Sequence, residues 1–201
     1  MAQETLAPWA ELVPMDHPMT LDEVLALPDD GYGYELVDGR LVRMSPTGGG
    51  NSWRASRLII DMGSFVDQRH LGVVTGADGL YILSKPDVPT TALAPDVAFV
   101  RAGRHPSVGS TAFERPWRLP PDLAVEVVSL HQNRPEMAAK ARLYLAAGVR
   151  LLWLVWPRYE RVDIWRPGDE RPSATVGIDG ELDGEDVLPG FRYPVARLFG
   201  S

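Results

Sequence analysis

The chain has 201 residues, 45% of them hydrophobic, enough to bury a substantial core in one globular domain without covalent staples. It contains no cysteine, which excludes disulfides, thiolate-bound zinc and cysteine nucleophiles. The formal net charge of −7 argues against a protein that coats nucleic acid by overall attraction, yet leaves room for an enzyme that holds cations between acidic ligands and its substrate. Two of the 20 basic residues are lysine, Lys85 and Lys140, and the other 18 are arginine, so the place of each lysine carries information. The first residues include Glu4, Glu11 and Asp16 with no basic start and no long apolar run. Neither a signal peptide nor a membrane helix is predicted, and a cytoplasmic protein without membrane contact is the expectation.

In chain order, residues 1–19 hold Pro8, Pro14 and Pro18 and show no period, which predicts an irregular arm ahead of one domain over 20–201. Thr20 and Glu23 form a capping-box pattern that opens a short helix ending near Pro28. Tyr34–Val37 and Arg40–Met44 flank Asp38-Gly39, a pair suited to a type I′ hairpin turn. After Pro46 and Gly48-Gly49-Gly50 comes a longer helix with Trp53, Leu58, Ile59, Met62 and Val66 as core candidates, ending near His70-Leu71-Gly72. Strands are predicted at Val73–Thr75, Leu80–Leu83 and Val97–Val100, followed by a polar, proline-bearing loop over 101–121 that reads as mobile or lid-like. Leu123–Val128 is the strongest central-strand candidate. Arg134-Pro135-Glu136 opens a helix that Gly148 closes, and Leu151–Trp156 and Arg161–Trp165 are two strands around Pro157. The remainder, rich in Asp, Gly and Pro, is expected to wrap the body. This order is a mixed α/β layout with one crossover helix.

Glu126 is the sharpest anomaly. A strand apolar on both faces is a costly place for a carboxylate unless it is paired or bound to a cation. Alternation puts it on one face with Ala124 and Val128; an edge strand or an ion pair with arginine is the alternative account. Asp96 enters a similar run, Val97–Val100, where an aspartate after Pro95 also suits a simple turn. Two acids entering neighbouring strands are placed to converge on one hard cation such as magnesium, which polarises phosphoryl oxygens and acidifies water. Lys140 lies on the following helix; it either pairs with Glu136 four residues earlier or serves as a compact ammonium beside a water or phosphate. Glu35, in the first hairpin strand, is either solvent-facing or orients Lys140 or a metal-bound water. The glycine run with Arg54 and Arg57 suits an anion or a flexible connector. His70, His105 and His131 lack paired ligand spacing, and the scattered tryptophans read as core.

Taken together and in order, several segments carry a resemblance. They are Tyr34-Glu35-Leu36-Val37-Asp38-Gly39, Ser45-Pro46, Ala94-Pro95-Asp96-Val97-Ala98-Phe99-Val100 and Asp122-Leu123-Ala124-Val125-Glu126-Val127-Val128-Ser129. Lys140, Tyr144-Leu145-Ala146-Ala147-Gly148-Val149 and Leu188-Pro189-Gly190-Phe191 complete the set. Over residues 20–200 the chain resembles the Uma-type putative restriction endonucleases, a branch of the PD-(D/E)XK nuclease superfamily. The resemblance implies a restriction-endonuclease-like mixed sheet flanked by helices, with Asp96 and Glu126 as metal-binding acids. It implies Mg²⁺ or Mn²⁺ as cofactor and Glu35, Asp96, Glu126 and Lys140 as the catalytic set. Val128 stands where the superfamily's third motif carries lysine, and the resemblance implies that Lys140 on the next helix replaces it. The chain departs from many members in carrying Asn51, within a glycine-rich version of the segment after Ser45-Pro46, where they carry histidine.

The leading expectation is therefore divalent-metal-dependent phosphodiester hydrolysis, with DNA as partner and a homodimer by analogy. A catalytically silent interaction module that retains the nuclease fold is the rival. A metal-assisted hydrolase of small phosphate esters is the third reading.

Overall fold

The structure is a computed structural model that describes residues 11–44, 48–85 and 89–200. Residues 1–10 of the expected arm and the Ser45-Pro46 landmark lie outside the described residues. The elements run β1 (Glu11–Leu12), α1 (Leu21–Leu25), β2 (Gly33–Val37), β3 (Arg40–Met44), α2 (Gly49–Arg69), β4 (Gly72–Gly76), β5 (Tyr81–Ile82), β6 (Ala92–Leu93) and β7 (Val97–Arg101). They continue with β8 (Leu123–Val127), α3 (Arg134–Ala146), β9 (Leu151–Trp156), β10 (Arg161–Trp165), β11 (Ala174–Gly177), β12 (Glu181–Asp183) and β13 (Arg192–Pro194).

Six strands form the main sheet in the order β11-β10-β9-β8-β7-β4. Its one parallel pair is β8 with β9, and a parallel pair needs a crossover, which α3 supplies. The expectation of a mixed α/β sheet with a single crossover helix is met. A second sheet, β1-β3-β2-β6-β5, is built on the β2–β3 hairpin. Asp38 and Gly39 at its tip both have positive φ, 48° and 73°, as a type I′ turn requires. The Thr20–Glu23 capping box forms in both directions at the start of α1.

The main sheet is buried on both faces. Leu123, Val125 and Val127 of β8 pack with Leu58, Met62 and Val66 of α2 and with Leu188, Phe191 and Val195 of the C-terminal segment. Ala124 and Val128 face the other way, toward Met137, Ala141 and Tyr144 of α3 and toward Val37 and Val42 of the hairpin. The second sheet thus lies on the α3 side, and this brings β2 within reach of β8.

Several expectations are corrected. Glu11–Leu12, within the stretch expected to be irregular, pairs with Arg43 and Val42 of β3 as an edge strand. β6 has only two residues and no period of its own; it exists because β2 and β5 offer partners on both sides. The 101–121 loop is pinned rather than lid-like. Trp117 is buried at 7% exposure, Ile82 N–H donates to its carbonyl at 2.8 Å, and its own N–H donates to Leu80 O at 3.1 Å. Arg104 closes the loop on the buried Asp122 carboxylate at 2.6 Å. Trp53, expected in the core, is 44% exposed on α2, because the buried stripe of that helix runs through Ala55, Leu58, Met62 and Val66 instead. The C-terminal segment does pack on the body, and β11 extends the main sheet.

Candidate active site

Three carboxylates and one ammonium meet near the end of β8. Antiparallel register pairs Val97 with Val125, so Asp96, one residue before β7, falls beside Glu126. Its Oδ2 accepts the Val127 N–H at 2.6 Å, which locks this aspartate onto the strand that carries the glutamate. Glu126 shares the face of Ala124 and Val128 and is 7% exposed. On β2, alternation sends Leu36 into an outer cluster and Glu35 and Val37 toward the main sheet. There Glu35 Oε1 accepts the Ala94 N–H at 3.0 Å.

Lys140 belongs to the buried stripe Met137, Lys140, Ala141 and Tyr144 of α3, spaced as one helical face. Its Nζ lies 2.9 Å from Glu126 Oε1 and 3.2 Å from Glu35 Oε1, with no exposure of the residue. The alternative partner, Glu136, is engaged elsewhere: its carboxylate accepts the Asn133 N–H at 2.9 Å and completes the capping box of α3. Four elements thus place Glu35, Asp96, Glu126 and Lys140 together. Leaving either carboxylate here without its cation would strand a buried charge, so the bridge is a geometric constraint as much as an attraction.

Two further residues were not singled out from the sequence as part of this site. Tyr144 donates its hydroxyl to Glu126 Oε1 at 2.6 Å and is fully buried. Its position four residues after Lys140, on the same helical face, was the available signal. Asn51, in the first turn of α2, donates its amide to Val127 O and Val128 O at 3.3 and 3.4 Å, tying that helix to the end of β8. The glycine run forms the start of α2, with Gly48 at its cap and no side-chain cap bond. The arginines near it stack on aromatic rings: Arg54 lies over Phe199 and Arg57 over Trp53.

The electrostatics are unbalanced. Burial pushes Glu126 up to about 7; Lys140 and the Tyr144 hydrogen bond pull it down, while Asp96 and Glu35 add to the rise. Asp96 is also pushed up, first by burial, against the pull of the Val127 N–H and Lys140. For Lys140 burial works against the charge, but Glu126 and Glu35 more than offset it and hold the ammonium protonated. Burial, then Glu126, drives the Tyr144 hydroxyl far above its ordinary value, so it remains a donor.

Glu35, Asp96, Glu126 and Lys140 line a cleft of about 910 Å³. Among the described residues, no group of three or more His, Asp or Glu side chains is arranged as a ready-made cation cage. The donor chemistry nonetheless fits an ion that keeps much of its water. Asp96 and Glu126 each have one oxygen engaged within the protein and a second that takes no hydrogen bond among the described residues. With all groups ionised, three carboxylates face one ammonium, an excess that a divalent cation offsets. Asp96 and Glu126 are the pair that could hold it.

A family model, Uma2, described as "Putative restriction endonuclease", matches residues 21–196. Among solved structures, the chain is similar to a putative nuclease belonging to DUF820 from Anabaena variabilis. The likeness has a TM-score of 0.75 at 20% sequence identity and covers 91% of this chain and 98% of that one. That is a likeness of fold. No curated protein matches the chain.

Proposed function

The chain belongs to the Uma2 family of putative restriction endonucleases, and from that premise we propose that it is a divalent-metal-dependent endonuclease acting on phosphodiester bonds, with DNA as substrate. The observation that carries the reading is the convergence of Asp96, Glu126, Glu35 and Lys140 on one cleft from four separate elements.

Asp96 and Glu126 would hold Mg²⁺ or Mn²⁺, which when bound supplies polarisation of a phosphoryl oxygen and acidification of an attacking water. The Val127 N–H fixes Asp96, and Lys140 with Tyr144 fixes Glu126, so both acids are oriented before any ligand arrives. We assign Lys140 to positioning the attacking water or stabilising phosphoryl charge, and Glu35 to orienting Lys140 through the 3.2 Å contact. Among the described residues no helix is long and apolar enough to cross a membrane.

The test is cleavage of plasmid DNA, RNA and small nucleotides by the purified protein with Mg²⁺ or Mn²⁺. Metal-dependent cutting of DNA, lost in Asp96→Asn and Glu126→Gln, is the expected result. Turnover of nucleotides alone would move the reading to a phosphoesterase, and no turnover on any substrate would sink the enzymatic claim. One observation favours the rival reading, a catalytically silent interaction module: Glu11, Asp29, Asp78 and Glu136 also line the cleft, and this acidity repels a polyanion. We also assign a homodimer, which would bring two such sites to a duplex; light scattering that gives only monomer would remove it.

A further inference from the structure

Tyr144 sits in the core, in the same buried cluster as Met137 and Ala141 of its own helix and Leu152 and Leu154 of β9, and is fully buried. Packing alone asks only for a ring of this size, which phenylalanine supplies. A hydroxyl in such a place is costly unless it finds an acceptor. The acceptor it finds, at 2.6 Å, is Glu126 Oε1, the same oxygen that lies 2.9 Å from Lys140 Nζ. Both donors come from one helical face, four residues apart, and both converge on one atom.

The consequence lies at the other oxygen. With Oε1 held by two donors the carboxylate is not free to turn about its terminal torsion; Oε2 takes no hydrogen bond among the described residues, and Glu126 lines the cleft. A glutamate presented this way has one oxygen to offer. Calcium readily takes both oxygens of a carboxylate in a flexible shell of high coordination number, whereas magnesium takes single oxygens in a strict octahedron and keeps its waters.

Resting on the metal-dependent reading above, we propose that Tyr144 is a positioning residue that restricts Glu126 to one outward oxygen and thereby sets the preference of the centre for a small octahedral cation over Ca²⁺. Lys140 alone does not impose this, because a single contact acts as a pivot about which the carboxylate swings both oxygens toward the cleft. The second contact, from the hydroxyl, removes that swing.

The experiment is calorimetric titration of the full chain with Mg²⁺ and, separately, with Ca²⁺, for wild type and Tyr144→Phe. Met137→Leu, a packing change on the same buried stripe, serves as control, and thermal unfolding reports on the fold of each variant. Supporting residues around metal ligands typically change affinity about 10–100-fold when removed. In Tyr144→Phe the ratio of the two dissociation constants is expected to shift toward Ca²⁺ by about tenfold, with the Met137→Leu ratio unchanged. An unchanged ratio in a folded Tyr144→Phe, with wild type binding Mg²⁺, would overturn this inference and leave the functional reading standing. A shift of equal size in Met137→Leu would also overturn it, since packing would then be the cause. Wild type that binds neither cation would remove the metal reading and this inference together.

Discussion

At the scale of single residues, the centre sets three acids, Glu35 and Glu126 buried and Asp96 half-buried, against one buried base. Lys140 bridges Glu35 and Glu126 with no exposure to solvent. Lys140→Met keeps much of the side chain's length but takes the ammonium away from both carboxylates, and breaking a buried ion pair from one side typically costs about 3–5 kcal/mol. Chemical denaturation is expected to show a loss of that order; a loss within the range of an ordinary surface substitution would mean that the pair is not buried as described. Glu126 gives a pH dependence. Its pKa rises from 4.5 to about 7 on folding, so the native state holds the proton more tightly than the unfolded chain. That contribution is fully present below 4.5 and is lost as pH rises through about 7, so metal-free protein should lose stability across this window. A cation must displace the same proton, so Mn²⁺ affinity should climb as pH rises and level off above about 7. Titrations at several pH values that show no such rise would detach metal binding from Glu126. Glu126 was legible in the sequence because a charge in an apolar strand needs no partner to look anomalous. Tyr144 was not, because a tyrosine on an apolar helix face looks like core until its hydroxyl has an acceptor.

Elements whose determinants are local were read well. The Asp38-Gly39 turn, the α1 capping box and the Arg134-to-Gly148 limits of the crossover helix all depend on residues within a few positions of one another. Elements defined by a distant partner were not: β1 and β6 are two residues long and exist only against β3, β2 and β5. The 101–121 loop misled in the same way, since its polar composition concealed Trp117 and Arg104 as anchors. Helix α3 supplies both donors to Glu126, so its start matters to the site. The Asn133 side chain accepts the Glu136 N–H at 3.1 Å, and replacing such a cap by alanine typically costs about 1 kcal/mol. Asn133→Ala is expected to lower stability by that amount in a denaturant titration, with wild-type Mn²⁺ affinity retained because the cap lies outside the cluster. A large loss of affinity would show that the helix start and the centre are coupled.

For the whole molecule, the six-stranded sheet is a frame that presents the end of β8 between two layers. One layer, α2 with the C-terminal segment, packs on the apolar residues of β8; the other, α3 with the hairpin sheet, closes over Glu126. The mixed order of strands and the crossover helix were legible from periodicity and β-branched runs. The sheet that carries Glu35 to the site was not, because sequence alone does not show that β2 folds back over β8. Three of the four predicted site residues lie on the sheets or directly before a strand, and the fourth on the crossover helix, so the centre is rigid by construction. Asp96 and Glu126 are proposed to bind one divalent cation together. A crystal of the full chain soaked in Mn²⁺ and measured at the manganese absorption edge tests it most directly. An anomalous peak within coordination distance of carboxylate oxygens from both residues is the expected result. A saturating soak that leaves this position without a peak, or places the ion on other side chains, would contradict it.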